Sequence, residues 1–429
     1  MPALGTLAAE PLYLLADSAI VGRLGAAALA SVGLAYAVLT LPFWITSFIQ
    51  RAITTQAARA VGGGPTEQSA AADILADGLG VAAILGIVLA ASLWLFARPF
   101  SFALNGRGEV LEGAVQYLRI GAWGMPFLLL SFVGHGLLQG SGRTNRSLLV
   151  VLVANVVNVV LELWFVHGLH WGLRGSAWGT LVAQVITASW LMWFVLQERQ
   201  RRHGHANRQR MTKMVVDGLR FGVRTACIAG TFMFATAVAT RMGAVPAAAH
   251  QIVSQLFYLS ALMLDALALA GQVLVAEHLG ADDGGSAATI RRLVSITFWF
   301  GVLIAAVFVA TSGVLPRLFS PEGPVRSAAI PALFLLGLMS IPGAIAFLYD
   351  GVFIGTGNIT HMVRSAITAT LLFIPFGVAC IARPSAGLPL LWSGLLCWMI
   401  ARAWLHHRKA LALGWLREPS SGVTEKTAA

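Results

Sequence analysis

Only three cysteines, Cys227, Cys380 and Cys397, occur in 429 residues, and none stands at a metal-ligand spacing. A disulfide framework and a cysteine-based metal centre are therefore not expected, and each thiol reads as a small apolar packing residue. Charge is equally scarce. Charged residues make up 11% of the chain, with 18 Asp and Glu against 29 Lys and Arg, which excludes a soluble globular protein of this length. The chain also lacks a Walker A motif, a nucleophile elbow and a zinc spacing, which argues against ATP-driven transport and hydrolysis.

What is abundant is apolar. Hydrophobic residues reach 57% and mean hydropathy is +0.77. Because a spanning helix needs about 20 mostly apolar residues, short polar and Gly/Pro punctuation divides the chain into twelve segments. They fall near 1–20, 27–50, 72–97, 114–139, 147–168, 175–196, 218–240, 246–275, 291–312, 327–356, 361–382 and 386–405. Transmembrane barrels read as alternating stretches of about ten residues, so these long runs predict an all-α polytopic membrane protein. The stretch 1–19 has no basic leader and no convincing cleavage site, and reads as the first spanning helix rather than a signal peptide.

The net charge of +11 could point to nucleic acid, but the placement of the basic residues explains it better. With a cytoplasmic N-terminus, 20 of the 29 Lys and Arg fall on the cytoplasmic side. The densest run is Arg199, Arg201, Arg202, Arg208, Arg210 and Lys213, which satisfies the positive-inside rule and reads as a topology anchor. A multi-pass protein of the cell membrane with both termini cytoplasmic is expected. Its expected partner is the bilayer; no nucleic acid and no cofactor are expected, and a monomer is the default.

The chain is internally duplicated. RLGAAALASV from Arg23 aligns with RMGAVPAAAH from Arg241 at an offset of 218, as do Gly62 and Gly280, while GLLQGSGR from Gly136 pairs with GVFIGTGN from Gly351 at an offset of 215. Two parallel six-helix halves follow, related by an axis along the membrane normal, a plan in which substrate binds between or within the halves. The expected division is an N-lobe at 1–196, a basic cytoplasmic linker at 197–214, a C-lobe at 215–413 and a polar tail at 414–429.

Ionisable residues inside such helices are the informative ones. In VLVANVVNVVLELWFVH, Asn155, Asn158 and Glu162 share a helix face, and Asp17 is the acidic counterpart in the first segment, where Pro11 removes a backbone donor. A charged side chain at mid-membrane costs about 2.5–3.5 kcal/mol on insertion scales, so such groups normally face a polar cavity and mark an ion or proton path. Glu10 lies seven residues before Asp17; Asp265 and Asp350 are C-lobe candidates for accessory or substrate contacts; Gln184 lies one turn beyond Thr180. Asp73 and Asp77 read as residues favoured near a helix N-terminus, His135 and His250 as interhelical hydrogen-bonding residues, and Phe232 and Met233 as core or cavity lining.

Pro2, then Tyr13 and Asp17 followed by SAIVGRLG, then Asn158, Glu162 and Thr180, with Tyr117 in YLRIGAWGMP and the G-x-G endings of helices four and ten, resemble the multidrug and toxic compound extrusion (MATE) family, in its DinF-like branch. The resemblance implies inward-open and outward-open V-shaped states and efflux of amphipathic, often cationic compounds driven by H+ or Na+. It implies an N-lobe cation site at Asn158, Glu162 and Thr180, where the Glu162 position is more usually Asp. The expected protein is a secondary-active exporter coupled to H+ through Asp17, Asn158, Glu162 and Thr180. Alternatives are Na+ coupling at the same residues, a lipid-linked precursor flippase with a basic central cavity, and a nontransporting membrane scaffold or receptor.

Overall fold

The computed structural model describes residue 17 and residues 20–104, 106–201, 204–282, 285–383 and 387–416. Glu10, Tyr13 and Pro11 lie outside the described residues. Everything described is helix or connecting loop. The N-lobe contains α1 (Ala26–Thr46), α2 (Phe48–Gly62), α3 (Pro65–Ala103), α4 (Gly108–Ala122), α5 (Met125–Gly140), α6 (Thr144–Leu163) and α7 (Gly172–Arg201). The C-lobe contains α8 (Arg208–Arg241), α9 (Ala244–Ala281), α10 (Ser286–Thr311), the short α11 (Leu315–Phe319), α12 (Gly323–Thr356), α13 (Ile359–Ala382) and α14 (Gly387–Ala412).

Among the described residues, ten helices are long and apolar enough to cross a membrane, and the α4–α5 pair, bent by 51°, makes an eleventh span. The first of the twelve expected segments lies mostly outside the described residues. The bend falls at Trp123 and Gly124, where Pro126 begins the next helix without needing a backbone donor. Segment two is α1 and α2 read as one span, interrupted at Ser47 after the helix-interior Pro42.

The duplication is written into the backbone. Gly25 and Gly243 precede α1 and α9 with φ of 116° and 121°, and Gly142 and Gly357 follow α5 and α12 with φ of 72° and 80°. These are conformations that L side chains rarely adopt, so each pair of repeats starts or stops its helix by the same device.

The two lobes meet near the linker end. A shared core there joins Phe48, Ile49 and Ile53 of α2 with Phe221 of α8, Val275 of α9 and Leu348 and Phe353 of α12. Gln272 donates to the Arg51 carbonyl at 2.9 Å and to the Thr55 hydroxyl at 3.0 Å, and Arg59 donates to the Gly355 carbonyl at 3.1 Å. Closest of all is a reciprocal crossing of helix ends. A Cβ on Gly62 would lie 2.1 Å from the Glu277 carbonyl oxygen, and one on Gly280 would lie 2.0 Å from that of Arg59. Both pairs keep the 218-residue offset, so the two copies touch each other at equivalent points.

Asp73 and Asp77 do more than sit near a helix start. Asp73 accepts from the His205 amide at 2.9 Å, and the fully buried Asp77 accepts from the Asn207 amide and from Arg210 Nε, both at 2.6 Å. Asn207 in turn caps α8 by accepting from the Gln209 amide at 2.8 Å. The linker is thereby bound to the N-lobe, and the first C-lobe helix begins inside the expected linker, at Arg208 rather than at 215. Gly280→Ala forces α2 and α9 apart and is expected to lower the thermal unfolding midpoint in detergent, at about 1–3 kcal/mol for overpacking. Gly230→Ala, at a helical glycine with open space around it, leaves the midpoint near that of the native protein.

Candidate functional site

The N-lobe site forms where α1, α4, α6 and α7 converge on Asp17. Asp17 is fully buried, accepts from the Tyr36 hydroxyl of α1 at 2.7 Å and from the Ser176 hydroxyl of α7 at 3.0 Å. Tyr117 of α4 donates to the Tyr36 oxygen at 3.3 Å, its ring edge-on to that of Tyr36 at 5.8 Å, and extends the chain of hydroxyls. Tyr117 also lies beside Thr180. The surrounding packing, Val21, Val32, Leu111, Val115, Leu118 and Ala177, is apolar.

Glu162 reaches this centre from α6. It is fully buried, lies against Asp17 and Ser176, and neither carboxyl oxygen has a hydrogen-bond partner among the described residues. Gly179 on α7 permits the approach, since a Cβ there would stand 3.2 Å from the Glu162 backbone. Four residues earlier, Asn158 donates weakly to Thr180 Oγ1 at 3.4 Å and leaves its own Oδ1 without a partner. Directly after Glu162 the helix widens into one π turn, Trp164–Gly168. Such single turns occur often at functional sites.

The structure thus brings Asp17, Asn158, Glu162, Thr180 and Tyr117 together. No Lys, Arg or His contacts Asp17 or Glu162 among the described residues. Two adjacent carboxyl groups in a low-dielectric setting resist simultaneous ionisation, so one proton or one cation is the natural third member of the pair. Tyr36 and Ser176, which hold Asp17 in place, were not legible in the sequence: a lone tyrosine or serine in an apolar run carries no signal until another helix faces it.

The remaining candidates separate from this centre. Gln184 packs its Oε1 against Gly124 at the α4–α5 bend. Asn155 is half-buried one turn before Asn158. His135 bonds Ser147 at 2.8 Å and His250 faces Thr236 at 3.2 Å, both between helices as expected, while Ser254, at 3.3 Å from His250, lies one turn on in its own helix. Phe232 is buried in the C-lobe core, stacked on Phe257, whereas Met233 is 72% exposed on the outer surface of its helix.

Asp350 and Asp265 differ in kind from Asp17. Asp350 is buried and bonded by Arg224 of α8 and, at 2.6 Å, by Arg402 of α14, with His406 Nε2 at 3.3 Å. It is a clamped counter-ion, far from a free carboxyl. Asp265 pairs across the lobes with Arg51 at 3.9 Å. Asp350→Asn leaves buried guanidinium groups uncompensated and is expected to cost about 3–5 kcal/mol in thermal or denaturant unfolding. Glu162→Gln removes no ion pair with a basic group among the described residues and is expected to leave the unfolding midpoint nearer native than Asp350→Asn does.

The family model MatE matches residues 2–164 and 221–379. Among curated proteins, the chain is 28% identical to "Protein DETOXIFICATION 44, chloroplastic" of Arabidopsis thaliana over 94% of this chain and 80% of that one. It is 24% identical to "DNA damage-inducible protein F" of Escherichia coli (strain K12), covering 96% and 90%, and 24% identical to "Probable multidrug resistance protein NorM" of Thermotoga maritima, covering 94% and 89%. Solved structures share the fold: MATE in the bent conformation at TM-score 0.87 and 21% identity, covering 97% of this chain and 95% of that one, and an outward-facing multidrug resistance MATE transporter of the MOP superfamily at 0.85 and 20%, covering 96% and 94%. With the family model covering most of its length and the two-lobed helical fold in place, the chain belongs to the MATE family of membrane transporters.

Proposed function

We propose that the chain is a secondary-active exporter of the cell membrane, with cytoplasmic termini, that expels amphipathic, often cationic organic compounds in exchange for H+. The observation that carries this reading is the buried pair of Asp17 and Glu162, with no basic partner among the described residues. When Asp17 is charged, two hydroxyls from α1 and α7 point their hydrogens at it; a proton on Asp17 removes part of that attraction and loosens the contact between its helix and its neighbours. A coupling ion shifts a two-state equilibrium only by its differential affinity for the two states, so the proton must be held differently when the lobes rearrange. Contact between the lobes near the linker supports a state closed on the cytoplasmic side and receptive on the other.

Na+ is the second reading, favoured by the orphaned acceptors. Glu162 contributes two oxygens and Asn158 one, with Thr180 and Asp17 adjacent, a set of hard oxygen ligands of the type an alkali cation requires. Efflux of a fluorescent lipophilic cation from proteoliposomes distinguishes the two. Flux driven by an imposed pH gradient, falling at least about tenfold in Asp17→Asn while the protein stays folded, is expected. Flux driven by a Na+ gradient alone transfers these residues to a sodium site, and coupled flux retained in Asp17→Asn refutes the assignment.

A further inference from the structure

A cavity of about 250 Å³ lies at the linker end of the N-lobe, between α2, α3 and α5, on helices other than the α6 and α7 that carry Glu162 and Thr180. Because α2 and α5 run toward that end and α3 runs away from it, depth can be read along each helix. Ile53, Leu75 and Leu137 lie deepest and close the floor, and Ala57 and Ala60 line the wall above them. Gln68, Ser141 and Arg143 line the mouth. The result is a shaft with an apolar floor, a wall of methyl groups and a polar rim.

The duplicated scaffold does not by itself call for this wall or this rim. At the 218-residue offset, Ala57 and Ala60 stand where the second copy has Val275 and His278, and Val275 is fully buried. At the 215-residue offset, Arg143 stands where the second copy has Asn358, each after a left-handed glycine, so the turn does not require arginine. The Arg143 amide donates to the Leu138 carbonyl at 2.8 Å, but its guanidinium has no ion pair or hydrogen bond among the described residues. The Gln68 side-chain amide is likewise without a partner there, whereas the Ser141 hydroxyl gives its proton to the Leu137 carbonyl. Of the acids on α3, Asp73 and Asp77 are taken by the linker, and Glu67, in the first turn, does not pair with Arg143. Two donors are therefore free at the rim, beside the N-terminal turns of α3 and α6, whose aligned peptide dipoles favour negative charge.

Size narrows the occupant. The shaft falls below the roughly 300–1,000 Å³ of sites for drug-sized molecules and admits one chain rather than a polycyclic or branched compound. We propose that it binds a single-chain amphipathic anion, a medium-chain carboxylate, with the alkyl chain against Ile53, Leu75 and Leu137 and the carboxylate on Arg143 and Gln68. The chain passes Ala60, two residues from Gly62, where α2 meets the Glu277 backbone of the C-lobe. The ligand thus braces the helix end on which the lobes meet, and the folded protein gains stability in proportion to occupancy.

Calorimetric titration of decanoate into the full-length protein in phosphatidylcholine nanodiscs, with protein-free nanodiscs subtracted for partitioning, tests the site. Saturable binding is expected, at least about tenfold weaker in Arg143→Gln and in Ala57→Leu. Ala57→Val, a side chain of the size accepted at Val275 in the second copy, weakens binding in the same direction and keeps the test open should the leucine variant misfold. Decyltrimethylammonium, with the same chain and a cationic head, shows no saturable binding. Arg98→Gln, at an exposed pair with Glu112, leaves decanoate binding unchanged. Absence of a saturable decanoate site overturns the proposal, as does binding indifferent to Arg143→Gln or to filling at position 57. Equal saturable binding of decyltrimethylammonium also overturns it. Competitive displacement of decanoate by phosphatidylglycerol overturns it in favour of an acyl chain of a membrane lipid. These readouts do not involve the coupling ion, so failure here leaves the exporter reading standing.

Discussion

The cost of an ion in a low-dielectric interior governs this structure more than any other interaction. In lipid, every carboxylate needs a proton, a cation or a set of donors, and the chain provides these differently at each acid it buries. Asp350 is neutralised permanently by two arginines and a histidine, which ties α8, α12 and α14 into one body. Asp17 receives only hydroxyl donors, and Glu162 receives nothing among the described residues. The first arrangement holds a lobe together. The second leaves a charge to be balanced from solution, which is what a coupling site requires.

Duplication explains why the two lobes can solve this problem separately. The paired left-handed glycines at 25 and 243, and at 142 and 357, show that both halves start and end equivalent helices by the same backbone conformation. Scaffold is shared while side chains diverge: the N-lobe leaves Asp17 and Glu162 without a basic partner among the described residues, whereas the C-lobe surrounds Asp350 with guanidinium groups. The halves then meet at equivalent points, Gly62 on Glu277 and Gly280 on Arg59, where the absence of a side chain lets helix backbones touch. These backbone approaches sit beside a side-chain core shared by α2, α8, α9 and α12, so the two halves are joined by both kinds of contact.

The linker belongs to this mechanical scheme. Asp73 and Asp77 hold its backbone amides and Arg210, so the first turn of the C-lobe is fastened to the third span of the N-lobe.

Hydropathy, the offset repeats and the positions of Asp17, Asn158, Glu162 and Thr180 were legible in the sequence, because apolar length, glycine spacing and a polar residue in an apolar run are local properties. The sequence by itself determined that the chain is a duplicated helical membrane protein with acids in its spans. Only the tertiary structure decided which acids are free. Asp265, Asp350 and Glu162 look alike along the chain, yet the basic partners of Asp350 and Asp265 stand from 52 to over 200 positions away, so whether a carboxyl meets a guanidinium, a hydroxyl or nothing depends on which helices pack together. Charge compensation acts through space at a few ångströms, and sequence distance carries no information about it.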